Sequence, residues 1–156
     1  MVRKAQSQDI DGLIRLLKQI ANLHHQGRPD IFKFGGQKYT REELEDIIND
    51  KNRPIFVAVD DSNYMKGYCF CNLHTPAHPV MEKRLTLFID DFCVDETIRG
   101  QGIGKKLFGE VLAYAHEQQA HNIDLNVWSF NEGAIKFYEN LGFAVQRQAM
   151  EMILSP

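Results

Sequence analysis

The chain has 156 residues, a formal net charge of −3, and is 44% hydrophobic and 25% charged. That size and balance predict one soluble domain, spanning 1–156, with a core of its own, and the slight acidity argues against a nucleic-acid binder, which carries a basic stripe. Three cysteines make no disulfide framework, the first ten residues hold no apolar signal core and no stretch is long enough for a membrane span, so a cytoplasmic protein without membrane contact is expected.

In chain order, Ile10, Leu13, Ile14, Leu17, Ile20 and Ala21 recur at helical spacing and predict a helix over 9–26, with Asp9 as candidate N-cap. Gly27, Pro29, Gly35 and Gly36 break it into a loop made aromatic by Phe32, Phe34 and Tyr39. Thr40 and Glu43 form a capping-box pair for a second helix, REELEDIIND. PIFVAVD and MKGYCFCNLH then read as antiparallel strands joined by a turn at 60–63, with Cys69 and Cys71 on one face as packed thiols.

Residues 84–94, RLTLFIDDFCV, predict a third strand. A glycine-rich turn follows and opens a helix with Ile103, Leu107, Phe108, Val111, Leu112 and Ala115 inward. NIDLNVW alternates apolar at Ile123, Leu125 and Val127, as a strand with one buried face does. Asn131 to Asn140 reads as a helix with Ala134, Phe137, Tyr138 and Leu141 on one stripe and Gly142 as its terminal glycine. FAVQRQAMEMIL reads as a closing strand. The order predicts an α/β (α+β mixed sheet) fold: a central mixed β-sheet, helices on both faces, and a parallel crossover around residue 100.

The turn RGQGIGKKLFGE places bare backbone before a helix N-terminus, where unpaired N–H groups and the macrodipole attract an anion. A P-loop fails twice, since residue 99 is Arg and residue 106 is Lys. The dinucleotide fingerprint fails as well: counted from Gly100 its last glycine falls on Lys105, and counted from Gly102 on Leu107. Arg99, Gly102 and Gly104 do fit R/Q-x-x-G-x-G/A at a strand-to-helix turn.

There the chain resembles the GNAT superfamily of acyl-CoA N-acyltransferases. DDFCVDETIRGQGIGKKLF is similar to the family's central strand, turn and helix, and NVWSFNEGAIKFYENLGF to its next strand and helix. The resemblance implies acetyl-CoA as cosubstrate, no metal, and a GNAT-like fold. It implies that Arg99, Gly100, Gln101, Gly102, Ile103, Gly104 and Lys105 cradle the coenzyme A pyrophosphate. It implies backbone contacts from Phe92, Cys93 and Val94 to the pantetheine arm, with an N–H near Phe92 as oxyanion donor. Tyr138 matches the family's general acid for the departing thiol, and Asn131 a coenzyme-contacting position whose residue type also suits an N-cap.

Asp90 and Asp91 interrupt an otherwise apolar strand. By alternation Asp90 goes with Phe92 and Asp91 with Cys93, and Phe92 and Val94 are expected in the core with Cys93 facing the other way. Asp90 is preferred as general base, with Asp91 the alternative. A nucleophilic Cys93 is disfavoured, because Asp91 and Asp95 would raise its thiol pKa. The six histidines have no metal-ligand spacing. The resemblance implies transfer of an acetyl group to a primary amine of a small molecule, peptide or protein. The alternatives are a non-catalytic coenzyme A-binding protein of the same fold and a nucleotide binder of another fold. A homodimer is common in the family.

Overall fold

The computed structural model describes residues 1–155. Their contacts divide into two compact units, Met1–Asn126 and the residues from Val127 onward. No helix among the described residues is long and apolar enough to cross a membrane.

In the first unit, strands β1 (Val2–Lys4), β2 (Ile55–Val59), β3 (Met65–His74), β4 (Thr86–Val94) and β5 (Asn122–Leu125) form one sheet in the order β1-β2-β3-β4-β5. The first three junctions are antiparallel, and β4 and β5 pair in parallel. The mixed sheet and its crossover agree with the sequence. β1 had no sequence signal: three residues, two of them basic, become a strand because β2 supplies a ladder, Val2 opposite Ala58.

Helices α1 (Ile10–Gly27) and α2 (Arg41–Ile48) cover one face of the sheet, and α3 (Ile103–Glu117) covers the other. Leu13, Leu16, Leu17, Leu44 and Ile47 bury themselves against Ile55, Val57, Tyr68 and Phe70. On the opposite face, Tyr114 of α3 meets Phe56 edge-on at 5.7 Å. With helices on both sides, all five β2 residues are buried, which is why PIFVAVD reads as a continuous apolar run. Leu112, expected inward, is exposed, while Tyr114 is buried.

Local rules explain most helix boundaries. Thr40 Oγ1 accepts from Glu43 N and Glu43 Oε1 accepts from Thr40 N, both at 3.1 Å, closing the expected capping box. Asp9, in contrast, does not cap α1 with its side chain. Its carboxylate accepts from Gln6 N at 2.7 Å and pairs with Arg3, fixing the short 3-10 turn Ser7–Asp9 that precedes the helix.

The second unit holds α4 (Glu132–Asn140). Asn131 Oδ1 accepts from Ala134 N at 3.2 Å, and Gly142, at φ +103°, ends the helix with Phe143 N donating to Tyr138 O. The expected closing strand is not formed: residues 143–155 pair with no strand among the described residues, and Met150, Met152, Ile153 and Leu154 are exposed. Alternating apolar residues permit a strand, but only a neighbouring ladder makes one. For the same reason NIDLNVW is shorter than expected: it is a strand only over Asn122–Leu125, and Val127 and Trp128 are exposed.

Candidate active site

The acidic pair on β4 is shaped by an irregularity. Asp91 stands opposite Phe70 of β3, and Ile89 stands opposite Cys71, so Asp90 is the extra residue of a β-bulge. Strict alternation would send the two carboxylates to opposite faces. The bulge instead lets both reach one ammonium group: Lys38 Nζ lies 3.3 Å from Asp90 Oδ2 and 3.3 Å from Asp91 Oδ2. Tyr39 Oη donates to Asp90 Oδ2 at 2.7 Å, and Tyr68 Oη donates to Asp91 Oδ1 at 3.2 Å.

The two carboxyls differ in environment. The Asp91 side chain is 9% exposed and that of Asp90 is 31% exposed. Burial raises the Asp91 carboxyl above its usual range. Lys38 and the Tyr68 hydroxyl pull it back, and the Asp90 charge adds to the rise. Burial and the adjacent carboxylates push the Tyr39 and Tyr68 phenols upward, so both stay protonated donors. Lys38 and Tyr68 had no motif in the sequence, because each acts through a side-chain tip brought in from a distant element.

Cys93 corrects an expectation. It is buried in the core with α1, and its thiol is pushed up to about 12, chiefly by burial and next by Asp91. Phe92 and Val94, expected as the core pair, are only half-buried. A neutral, buried thiol is no nucleophile. Cys69 and Cys71 do share a face, with sulfurs 3.7 Å apart.

The parallel ladder between β4 and β5 ends at Ile89 opposite Leu125. From Asp91 to Val94, β4 stays paired with β3, while the parallel ladder with β5 does not extend past Ile89. Beyond it, Asp95 is buried and receives bonds from Arg15, Gln19 and Thr97. This junction leads through the 3-10 turn Glu96–Ile98 into the glycines.

Gly100 and Gly102 both have positive φ, +86° and +74°. Gly102 is the N-cap of α3, and its carbonyl accepts from Lys106 N at 3.1 Å. The amides of Ile103, Gly104 and Lys105 therefore precede the first in-helix bond and face out of the N-terminus. A Cβ on Gly100 or Gly102 would meet nothing within 4 Å, so the space over the turn is open. Arg99 folds back, its Nε donating to Val94 O at 3.3 Å. Beside Asp90, a cavity of about 80 Å³ opens between Tyr39, Arg53, Phe70 and Phe88. In the second unit, Tyr138 sits half-buried on α4 with its ring 5.5 Å from Phe143, and Asn131 caps that helix.

Residues 17–143 match the family model described as Acetyltransferase (GNAT) family. The chain belongs to the GNAT acetyltransferase family. It is 33% identical over 107 residues to the peptidyl-lysine N-acetyltransferase YjaB of Salmonella typhimurium, an alignment covering 67% of this chain and 61% of that one. The chain spans between 33% and 61% of the length of the curated relatives it matches. The crystal structure of a mutant of the BH1408 protein from Bacillus halodurans superposes with a TM-score of 0.94 at 33% identity, over 99% of both chains. The aminoglycoside N-acetyltransferase AAC(6')-Iy in complex with CoA shares the fold, with a TM-score of 0.73 at 15% identity over the whole of both chains.

Proposed function

We propose that this GNAT protein transfers the acetyl group of acetyl-CoA to a primary amine by direct attack in a ternary complex. The observation that carries the reading is the bulged β4: two carboxylates gathered around one ammonium, on the strand that runs into an open glycine turn. The coenzyme supplies an activated thioester acyl group. The amides of residues 100–105, with Lys105, hold its pyrophosphate at the N-terminus of α3. The stretch of Phe92, Cys93 and Val94, beyond the parallel ladder, hydrogen-bonds the pantetheine arm through its backbone, and an N–H there steadies the oxyanion.

An amine of pKa about 10.4 must lose a proton before it attacks. The sequence alone favours Asp90 as base. The environment favours Asp91, whose buried carboxyl is raised, with the more exposed Asp90 binding the ammonium. Tyr138 protonates or hydrogen-bonds the departing thiolate, and Asn131 contacts the coenzyme. Peptidyl-lysine and aminoglycosides, named for the relatives above, both present primary ammonium groups of the kind the acid pair suits.

The test is a thermal-shift series with acetyl-CoA, coenzyme A, ATP and NAD at equal concentration. A ligand at about 100 times its Kd stabilises by roughly 2.7 kcal/mol. Stabilisation by the two coenzyme A ligands alone is expected, followed by thiol release with spermidine, kanamycin or a lysine peptide. A larger shift with ATP or NAD refutes the reading.

A further inference from the structure

We propose that Lys38 is itself an acceptor: the chain acetylates its own Lys38 side chain at the Asp90–Asp91 pair. The inference rests on the function proposed above, because it takes that pair to be where an acceptor amine is deprotonated. Its own basis is geometric. Lys38 is a primary amine, and its Nζ stands 3.3 Å from a carboxylate oxygen of each aspartate. It also lies 3.4 Å from the Asp90 carbonyl oxygen. Any external acceptor has to take the place Lys38 already holds.

The loop carrying Lys38 is tied down on both sides of it. Upstream, His25 Nδ1 is 2.8 Å from Phe32 O, His24 stacks on Phe32 at 4.9 Å, and His25 meets Phe34 edge-on at 5.4 Å. Downstream, Tyr39 bonds Asp90 and stacks on Phe70 at 5.7 Å. The Lys38 side chain is nonetheless 40% exposed, so an acyl donor can reach it. An amine held this way reacts as an intramolecular nucleophile, with a large gain in effective concentration over a free one.

The step balances without any further reactant. Lys38 loses one proton to Asp91, which passes it to solvent. The free Nζ pair attacks the thioester carbonyl carbon, a C–N bond forms and the C–S bond breaks with its electron pair leaving on sulfur. The second amine proton ends on the coenzyme thiol. The product is a neutral amide that can no longer form an ion pair with either carboxylate, so the acid pair loses its resident cation.

The full chain is incubated with acetyl-CoA, and acetylation is followed residue by residue by mass spectrometry. Lys33, on the same loop, is exposed and serves as the internal reference. Lys38 is expected to react at least about tenfold faster than Lys33, at a rate independent of protein concentration. Sulfosuccinimidyl acetate, which needs no coenzyme site, is expected to reverse the order, because Lys38 Nζ is engaged by both carboxylates while Lys33 is exposed. Asp91→Asn is expected to lose the acetyl-CoA preference while keeping its acetyl-CoA thermal shift; should it not fold, the Lys38 to Lys33 ratio in the unaltered chain decides. Equal rates at the two lysines, or a rate that rises with protein concentration, alongside a normal acetyl-CoA thermal shift, overturn this inference and leave the acetyltransferase reading standing. Absence of the thermal shift overturns both.

Discussion

Arg15 Nη1 reaches Asp95 Oδ2 at 2.6 Å, tying the middle of α1 to the residue just after β4, where the path to the glycine turn begins. Gln19, one turn further along α1, donates to Asp95 Oδ1 and accepts from Glu96 N. The approach to the glycine turn is thus positioned by a helix on the far face of the sheet.

Asp95→Ala should cost about 2–3 kcal/mol, because it leaves Arg15 and several amide donors without their acceptor. Burial alone would raise the Asp95 carboxyl, but the bonds from Arg15, Thr97 and Gln19 outweigh it and hold the group well below the usual carboxylate range. A depressed carboxyl stabilises fully above its unfolded pKa of about 3.9 and loses that contribution as pH falls below it. Urea midpoints at pH 6 and pH 3 should therefore drop more for the native chain than for Asp95→Asn. Equal drops would show that Asp95 is not the linked group.

Tyr39→Phe removes the hydroxyl that bonds Asp90 and keeps the ring on Phe70. A stability loss of about 1 kcal/mol is expected. The KM for a cationic acceptor should rise more than kcat falls, since Asp90 loses the group that orients it. A change confined to kcat would place Tyr39 in the chemistry instead.

Gly102→Ala and Gly67→Ala separate function from fold. At Gly102 a methyl meets no atom within 4 Å, so the cost is the positive φ, about 1–2 kcal/mol, together with weaker acetyl-CoA binding. At Gly67 the methyl would sit 2.9 Å from Cys93 O and 3.0 Å from Leu107 Cδ1. Overpacking there costs about 1–3 kcal/mol and should spare acetyl-CoA affinity in the folded fraction. Calorimetric titration of both variants checks this; unchanged affinity in Gly102→Ala would remove the turn from the cradle.

Tyr138→Phe should bind coenzyme A with unchanged affinity and lose roughly 10²-fold or more in turnover. Unchanged turnover would return Tyr138 to a packing role on α4.

All three thiols are buried, and burial raises those of Cys69 and Cys93. Ellman's reagent should titrate them only on unfolding. Fast labelling of the native chain would contradict the burial of these thiols in β3 and β4.

Sequence patterns carried the elements that depend on local chemistry. Thr40 and Glu43 mark the start of α2, Asn131 and Gly142 bracket α4, and Gly100 and Gly102 mark the turn that opens α3, because capping and positive φ involve residues a few positions apart. Helical and strand periodicities likewise placed the mixed sheet and both of its covered faces. The residues at 143–154 show the limit: their alternation suits a strand, yet strand formation depends on a partner that alternation does not name.

By itself, then, the sequence determined the family, the glycine turn before α3 and the presence of an acidic pair in an apolar strand. Only the tertiary structure decided that both carboxylates gather around one ammonium. Alternation assigns Asp90 and Asp91 to opposite faces, and a single extra residue against β3 overrides it. Lys38, Tyr39 and Tyr68 then converge on that bulge from two other elements. Such convergence depends on register and on contacts across many tens of residues, and no short-range spacing rule encodes it.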